Sequence, residues 1–184
     1  MFAKISSDFL DHSVDYHQFK SKFVLDRYYS KERDAGSAFY KITYFLKFQQ
    51  AHLKDIFTIL PAPSYAEFTG GGLVTPHIDG GNDSVALNFY LSAPGDATIF
   101  YEKNHPDVMP YPGTRSYNVK DLHEIARFNA QPFDAYLLDV TKIHGIQKSG
   151  NEPRNMISYR WKKHTFEEIY NSLNTEKILW TDLK

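Results

Sequence analysis

The stretch of sequence that decides the fold is Val85-Ala86-Leu87-Asn88-Phe89-Tyr90-Leu91, which is followed after a short break by Ala97-Thr98-Ile99-Phe100-Tyr101. Both runs are rich in β-branched and aromatic residues, a composition that is typical of strands. Similar runs occupy residues 135–140 and 156–161. Strands that are short and numerous indicate a sandwich or a jelly roll. We therefore expect a mainly β protein.

Different patterns flank these strands. Between residues 13 and 55, aromatic and aliphatic side chains recur at steps of three to five. This spacing predicts two helices that pack on the sheet, with a break at residues 34–37. After the last strand, Thr165-Phe166-Glu167-Glu168 has the form of a capping box and predicts a closing helix. Residues 103–122 contain three prolines and one glycine. They predict a surface loop of a length that is often functional.

Length and composition limit the class of protein. A chain of 184 residues fits one domain, which we divide into helical support at 1–57, a jelly-roll core at 58–161 and a C-terminal helix at 162–184. The absence of cysteine excludes disulfides and thiolate metal sites. A net charge of −1 provides no broad basic field for nucleic acid. Because no segment resembles a membrane span, we expect a soluble cytoplasmic protein.

The candidate metal ligands begin with His77-Ile78-Asp79. In a β-strand, alternate side chains share a face, so His77 and Asp79 would project together while Ile78 points away. Pro76 disfavours a helix at this point, and the Gly-rich stretch 80–83 is expected to end the strand. These features place the pair at the rim of a sheet. Taken alone, a His-x-Asp tripeptide is more commonly a turn or a surface pair.

A second histidine and an arginine extend the pattern. Arg154 lies ten residues after His144, and the turn cluster 149–153 predicts a hairpin that brings Arg154 into the strand beside His144. Two imidazoles and one carboxylate form the facial triad that suits non-heme Fe(II). The planar guanidinium of an arginine suits the far carboxylate of a dicarboxylic acid. Arg160 has the same facing parity as Arg154, so the pattern does not choose between them.

Several of these motifs occur in the order found in one enzyme superfamily. Over residues 59–161 the chain resembles the Fe(II)- and 2-oxoglutarate-dependent dioxygenases, and among them it is most similar to the prolyl-4-hydroxylase-like branch. The similarity rests on the glycine-rich approach at 68–79, the strands at 87–92 and 95–100, and the closing segments at 133–139, 144 and 154–161. The resemblance implies a double-stranded β-helix, a cupin-like jelly roll, packed against N-terminal helices.

The resemblance also implies roles for individual residues. Those that match the iron ligands are His77, Asp79 and His144. Those that match contacts to 2-oxoglutarate are Arg154, which would grip the far carboxylate, and Ser158, Tyr90 and Thr98. Two positions depart from the family pattern: Phe68 stands where a tyrosine is common, and Asp134 stands near where a glycine is common.

The implied reaction is hydroxylation of a C–H bond with Fe(II), 2-oxoglutarate and O₂, with ascorbate as a supporting reductant and with release of succinate and CO₂. Asp79 favours hydroxylation over halogenation, because related halogenases lack that carboxylate. By analogy, the expected substrate is a peptidyl residue such as proline, or a small molecule. Two alternatives stay open: a cupin-like module that binds metal without catalysis, and an oxidative demethylase of nucleic-acid bases, which the near-neutral charge supports little. The oligomeric state is also open.

Overall fold

The computed structural model describes residues 1–5, 24–30, 36–41, 64–69, 73–79 and 83–175. Its strands are β1 (Phe2–Ile5), β2 (Val24–Ser30), β3 (Gly36–Lys41), β4 (Ser64–Thr69), β5 (Leu73–His77), β6 (Val85–Ser92), β7 (Ala97–Lys103), β8 (Leu122–Asn129), β9 (Ala135–Asp139), β10 (Ile143–Gln147) and β11 (Arg154–Trp161). A 3-10 turn (Val119–Asp121) precedes β8, and an α-helix, α1 (Phe166–Thr175), follows β11. No helix within these ranges is long and apolar enough to cross a membrane.

The strands form two antiparallel sheets. The larger sheet has the order β1-β9-β6-β11-β4-β3-β2, and the smaller sheet has the order β5-β10-β7-β8. From β4 onward the chain passes repeatedly from one sheet to the other, so most neighbours in a sheet are not consecutive strands of the chain. This arrangement is a jelly roll. It confirms the prediction of a mainly β, jelly-roll core.

Large side chains fill the space between the two sheets. Tyr90, Tyr136 and Met156 face this space from the larger sheet, and Phe128 and Ile146 face it from the smaller one. The rings of Phe128 and Tyr136 stack with their centroids 3.9 Å apart, a contact that adds to the free energy gained from burial. The same interior also receives polar side chains, and these form the candidate site.

The helices predicted for residues 13–55 are wrong where the structure describes that stretch. β2 pairs with β3, with Ser30 opposite Gly36, and β3 continues the larger sheet from β4. The predicted break at 34–37 therefore overlaps the start of a strand. Residue types that favour strands override the helical spacing, and in β2 and β3 they are Val24, Tyr28, Tyr29, Phe39 and Tyr40. The rest of the predicted helices lies outside the described residues.

The predicted hairpin between His144 and Arg154 is also wrong. β10 pairs with β5 and β7 in the smaller sheet, whereas β11 pairs with β4 and β6 in the larger sheet. The segment 148–153 therefore crosses between the sheets. Lys148 Nζ lies 2.7 Å from Asp96 Oδ2 in an ion pair whose two side chains are fully buried. This pair fastens the crossover to the turn before β7, and Arg154 enters the interior from the sheet opposite His144.

The closing helix begins with the predicted capping box, which is confirmed. The amide of Thr165 donates to Glu168 Oε2 at 2.7 Å, and the amide of Glu168 donates to Thr165 Oγ1 at 3.2 Å. These two bonds satisfy donors that the first turn of a helix leaves without intrahelical partners. Phe166 and Ile169 then point inward and are buried, so α1 covers the roll.

Replacing Lys148 with methionine would leave the charge of Asp96 buried without its partner. We expect Lys148→Met to lower the free energy of unfolding by about 3–5 kcal/mol, measured by urea denaturation. The matched control is Arg127→Ala, which removes an exposed ion pair with Glu124 and should cost at most about 1 kcal/mol. Equal losses in the two variants would contradict a structural role for the buried pair.

Candidate metal centre

His77, Asp79 and His144 lie together at one end of the smaller sheet. His77 is the last residue of β5, and the antiparallel register places it directly opposite His144 on β10. Asp79 follows two residues later, so its side chain emerges on the same side. Gly145 permits the close approach of the two strands, because a Cβ there would lie 2.8 Å from the carbonyl oxygen of Val74.

The three side chains converge on a small volume. One ligand atom from each of them lies within 4.8 Å of the other two. The Oδ1 atom of Asp79 is 3.3 Å from Nε2 of His77 and 3.6 Å from Nε2 of His144. The centroids of the two imidazole rings are 4.7 Å apart. The structure therefore brings together the three residues that the sequence indicated as metal ligands.

The other nitrogen of each imidazole is held by the main chain. Nδ1 of His77 lies 2.9 Å from the carbonyl oxygen of Thr75, and Nδ1 of His144 lies 2.9 Å from that of Lys142. A carbonyl oxygen can only accept, so each Nδ1 donates its hydrogen. This tautomer leaves a lone pair on both Nε2 atoms and fixes the planes of both rings, as second-shell bonds do in known metal sites.

Electrostatics keep Asp79 and His144 in the protonation states that a metal requires. Burial raises the pKa of Asp79, but the charge of Arg160 and the contacts with the two imidazoles together outweigh it, so this pKa lies well below its usual range. Burial, together with the neighbouring His77, lowers the pKa of His144 to about 4. At neutral pH the cluster therefore offers a carboxylate and a neutral His144, donors that suit a ferrous ion. The residues present fit such an ion.

Arg154 lies deep between the sheets and is only 1% exposed. Its Nη2 donates to Thr98 Oγ1 at 2.6 Å, and its guanidinium carbon lies 4.7 Å from the centre of the Tyr90 ring. Among the residues whose side chains the structure describes, nothing accepts from Nε or Nη1 of Arg154, and nothing pairs with the Tyr90 hydroxyl. Arg154, Thr98 and Tyr90 thus form a buried cationic end of the interior.

Ser158 and an asparagine line the interior between this cationic end and the metal ligands. Ser158 is buried on the same face of β11 as Arg154, directly opposite Asn88 on β6. Asn88 is also buried, and its Oδ1 has no hydrogen-bond partner in the described part of the chain. No sequence motif pointed to Asn88 as a site residue. The period of two along β6 could have found it, because Asn88 shares the inward face with Tyr90.

Arg160 reaches a different part of the site from Arg154. Its Nη1 contacts Oδ2 of Asp79 and lies 3.6 Å from Oδ2 of Asp83. The two arginines share a face of β11 but stand six positions apart, so their Cα atoms are about 20 Å apart along the strand. Arg160 is therefore at the metal end of the interior, and Arg154 is at the opposite end.

The predicted surface loop before β8 is attached to the segment that carries the ligands. The amide of Ile78 donates to the carbonyl of Arg115 at 3.1 Å, and the amide of Tyr117 donates to the carbonyl of Pro76 at 2.7 Å. In addition, Nη1 of Arg115 donates to the carbonyl of Asp79 at 2.7 Å. These bonds fix the main chain on both sides of the first histidine ligand.

Comparison with known proteins identifies structures that share the fold of this chain. No protein-family model matches the chain, and no curated protein matches its sequence. The structure of HygX from Streptomyces hygroscopicus, with nickel, 2-oxoglutarate and hygromycin B bound, is similar with a TM-score of 0.54 and 12% identity over 86% of this chain and 81% of HygX. SnoN, a non-heme alpha-ketoglutarate-dependent epimerase from nogalamycin biosynthesis, is similar with a TM-score of 0.59 and 10% identity over 86% of this chain and 77% of SnoN. At these identities the likeness shows a shared fold.

The low pKa of His144 predicts a pH dependence for the metal-free protein. An unperturbed histidine takes up a proton near pH 6.5, whereas folded His144 does so only near pH 4. Between pH 6.5 and pH 4 the unfolded chain binds more protons than the folded protein does. The stability that neutral His144 contributes above pH 6.5 is therefore lost as the pH falls towards 4. We expect this loss to reach up to about 3 kcal/mol and to be reduced in His144→Gln. Unfolding by urea with a chelator present measures it, and an equal decline in both proteins would contradict the assignment.

Proposed function

We propose that the protein is an Fe(II)- and 2-oxoglutarate-dependent oxygenase that hydroxylates a C–H bond. The observation that carries the proposal is the buried guanidinium of Arg154, which faces the same interior as His77, Asp79 and His144 and keeps two nitrogens without acceptors among the described residues. A metal triad alone fits many metalloproteins. A triad with a buried cation that faces the same interior fits a ligand that has a metal-binding end and an anionic end.

The buried charges support an anionic ligand. Lys148 and Asp96 neutralise each other, and Asp79 has Arg160 as its partner. Arg154 pairs with no carboxylate among the described side chains, although it is almost fully buried. A buried charge without a partner is costly, so a carboxylate from a ligand would offset that cost. The planar guanidinium can bind both oxygens of such a carboxylate.

The spacing of the two ends supports a short dicarboxylate. Thr98, which contacts Arg154, pairs with Ile146, and Phe100 pairs with His144 two residues along β10. The step between these two pairs is about 7 Å along the sheet. A five-carbon keto diacid such as 2-oxoglutarate can extend over that step, with its keto-acid end at the metal ligands and its far carboxylate at Arg154.

The residues would divide the work in the following way. His77, Asp79 and His144 would hold Fe(II), which with 2-oxoglutarate and O₂ supplies oxidation of a C–H bond to an alcohol while the keto acid leaves as succinate and CO₂. Arg154 would orient the keto acid through its far carboxylate, aided by Ser158, Tyr90 and Thr98. The apolar walls between the sheets would exclude water from the reacting end.

The two structural neighbours support this proposal, since HygX holds 2-oxoglutarate and SnoN is alpha-ketoglutarate-dependent. For the substrate we propose a peptidyl residue such as proline, or a small molecule. A small molecule has the support of the hygromycin B in HygX. We propose hydroxylation rather than halogenation, because the Asp79 carboxylate lies beside the two histidines, in the position that a halide would otherwise take.

The test is succinate formation. Purified protein with Fe(II), ascorbate and 2-oxoglutarate, with and without candidate peptides and small molecules, should release succinate, and His77→Ala should release none above background. Iron binding without turnover or binding of 2-oxoglutarate would contradict the proposal and would indicate the metal-binding module instead.

The same preparation tests Arg154. Loss of one partner of a desolvated charge pair costs about 2–5 kcal/mol, so Arg154→Met should weaken 2-oxoglutarate binding about 30-fold or more and leave the affinity for Co(II) nearly unchanged. Arg154→Lys keeps the charge without the planar fork, so its affinity for 2-oxoglutarate should lie between that of the wild type and that of Arg154→Met. The control is Arg127→Met on the exposed strand β8. Equal losses of affinity for the metal and for 2-oxoglutarate would contradict the assignment. So would a specific loss of 2-oxoglutarate affinity in Arg160→Met that Arg154→Met does not show.

A further inference from the structure

The two carboxylate oxygens of Asp79 have different neighbours. Oδ1 faces the Nε2 atoms of His77 and His144, at 3.3 and 3.6 Å. Oδ2 accepts a hydrogen bond from Nη1 of Arg160. The carboxylate is mostly buried, with 10% of the side chain exposed. One oxygen is thus available to a metal while the other is engaged by a guanidinium.

The main chain of Asp79 is fixed independently of Arg160. Its amide donates to the carbonyl of Val140 at 3.2 Å, and its carbonyl accepts from Nη1 of Arg115 at 2.7 Å. The backbone therefore places Cβ, but it does not decide how the carboxylate is turned. The bond from Arg160 holds Oδ2 and thereby limits the rotation of the carboxylate.

We propose that Arg160 is a positioning residue that keeps Asp79 a one-oxygen ligand. The inference rests on the metal site of the proposed function and deepens it. Carboxylates bind metals through one oxygen or through both. A charge-assisted bond to Oδ2 opposes the two-oxygen mode, because chelation would have to break that bond. Second-shell bonds of this kind orient metal ligands and tune the metal.

The number of ligand atoms decides what chemistry the centre can support. Two imidazoles and one carboxylate oxygen would occupy three of the six positions of an octahedral ion and would leave three open. A keto acid that bound through two atoms would leave one position for O₂. If Asp79 supplied both oxygens, the keto acid would fill the remaining positions and O₂ would have none. Arg160 would therefore protect the position that oxygen activation requires.

The test is a titration of metal-free protein with Co(II), whose visible absorption reports the number and geometry of its ligands. The variants are Arg160→Met, Arg160→Lys and, as the matched control, Asp83→Asn, which removes the other carboxylate near Arg160. We expect Arg160→Met to shift the Co(II) bands and to weaken Co(II) binding about 10–100-fold. Arg160→Lys should recover part of the affinity, and Asp83→Asn should keep the wild-type bands.

Wild-type bands in Arg160→Met would overturn the inference, even if the affinity falls, because that pattern would mean general destabilisation. If Arg160→Met does not fold, Arg160→Lys is decisive, since its ammonium lacks the planar fork and should shift the bands in part. The titration does not depend on turnover. Wild-type protein that shows Arg160-dependent bands but releases no succinate supports the inference and contradicts the proposed function. Absence of Co(II) binding in the wild type overturns both.

Discussion

The pairing of β5 with β10 is the constraint on which the candidate site depends. His77 and His144 are far apart in sequence, and the antiparallel register places them opposite each other with their rings 4.7 Å apart. Gly145 allows the two backbones to come this close. Main-chain hydrogen bonds therefore bring the two histidines together. Bonds made by the side chains then fix the direction of each Nε2 atom and of the Asp79 carboxylate.

The jelly roll gives the interior two chemically different ends. The smaller sheet supplies the two histidines at one end, while β11 of the larger sheet extends Arg160 to that end and Arg154 to the other. A site built in this way depends on the relative position of the sheets. The buried pair of Asp96 and Lys148 fixes the crossover that leads into Arg154. Stability at that crossover and the position of the Arg154 guanidinium are therefore linked physically.

The sequence predicted correctly those features that depend on residues close together in the chain. The alternation of His77 and Asp79, the strand composition of 85–91 and the capping box at Thr165 each depend on neighbouring residues, and the structure describes each of them as expected. The turn at 149–153 was visible, but a turn signal does not tell which sheet the next strand joins. Tyrosine and phenylalanine spacing at 24–41 fitted a helix until pairing with β4 decided it.

The choice between Arg154 and Arg160 shows the same limit. Both have the same parity on one strand, and only their neighbours across the interior separate them: Thr98 and Tyr90 for Arg154, and Asp79 for Arg160. Such neighbours come from other strands, and no local pattern contains them. Asn88 was missed for a related reason, since its burial beside Ser158 follows from the pairing of β6 with β11.

The most direct measurement is an anomalous difference map from crystals grown with Co(II). We expect one peak about 2 Å from Nε2 of His77, Nε2 of His144 and Oδ1 of Asp79, with Oδ2 of Asp79 still bonded to Arg160. A cobalt peak elsewhere on the protein, with these three atoms unligated, would contradict the central claim.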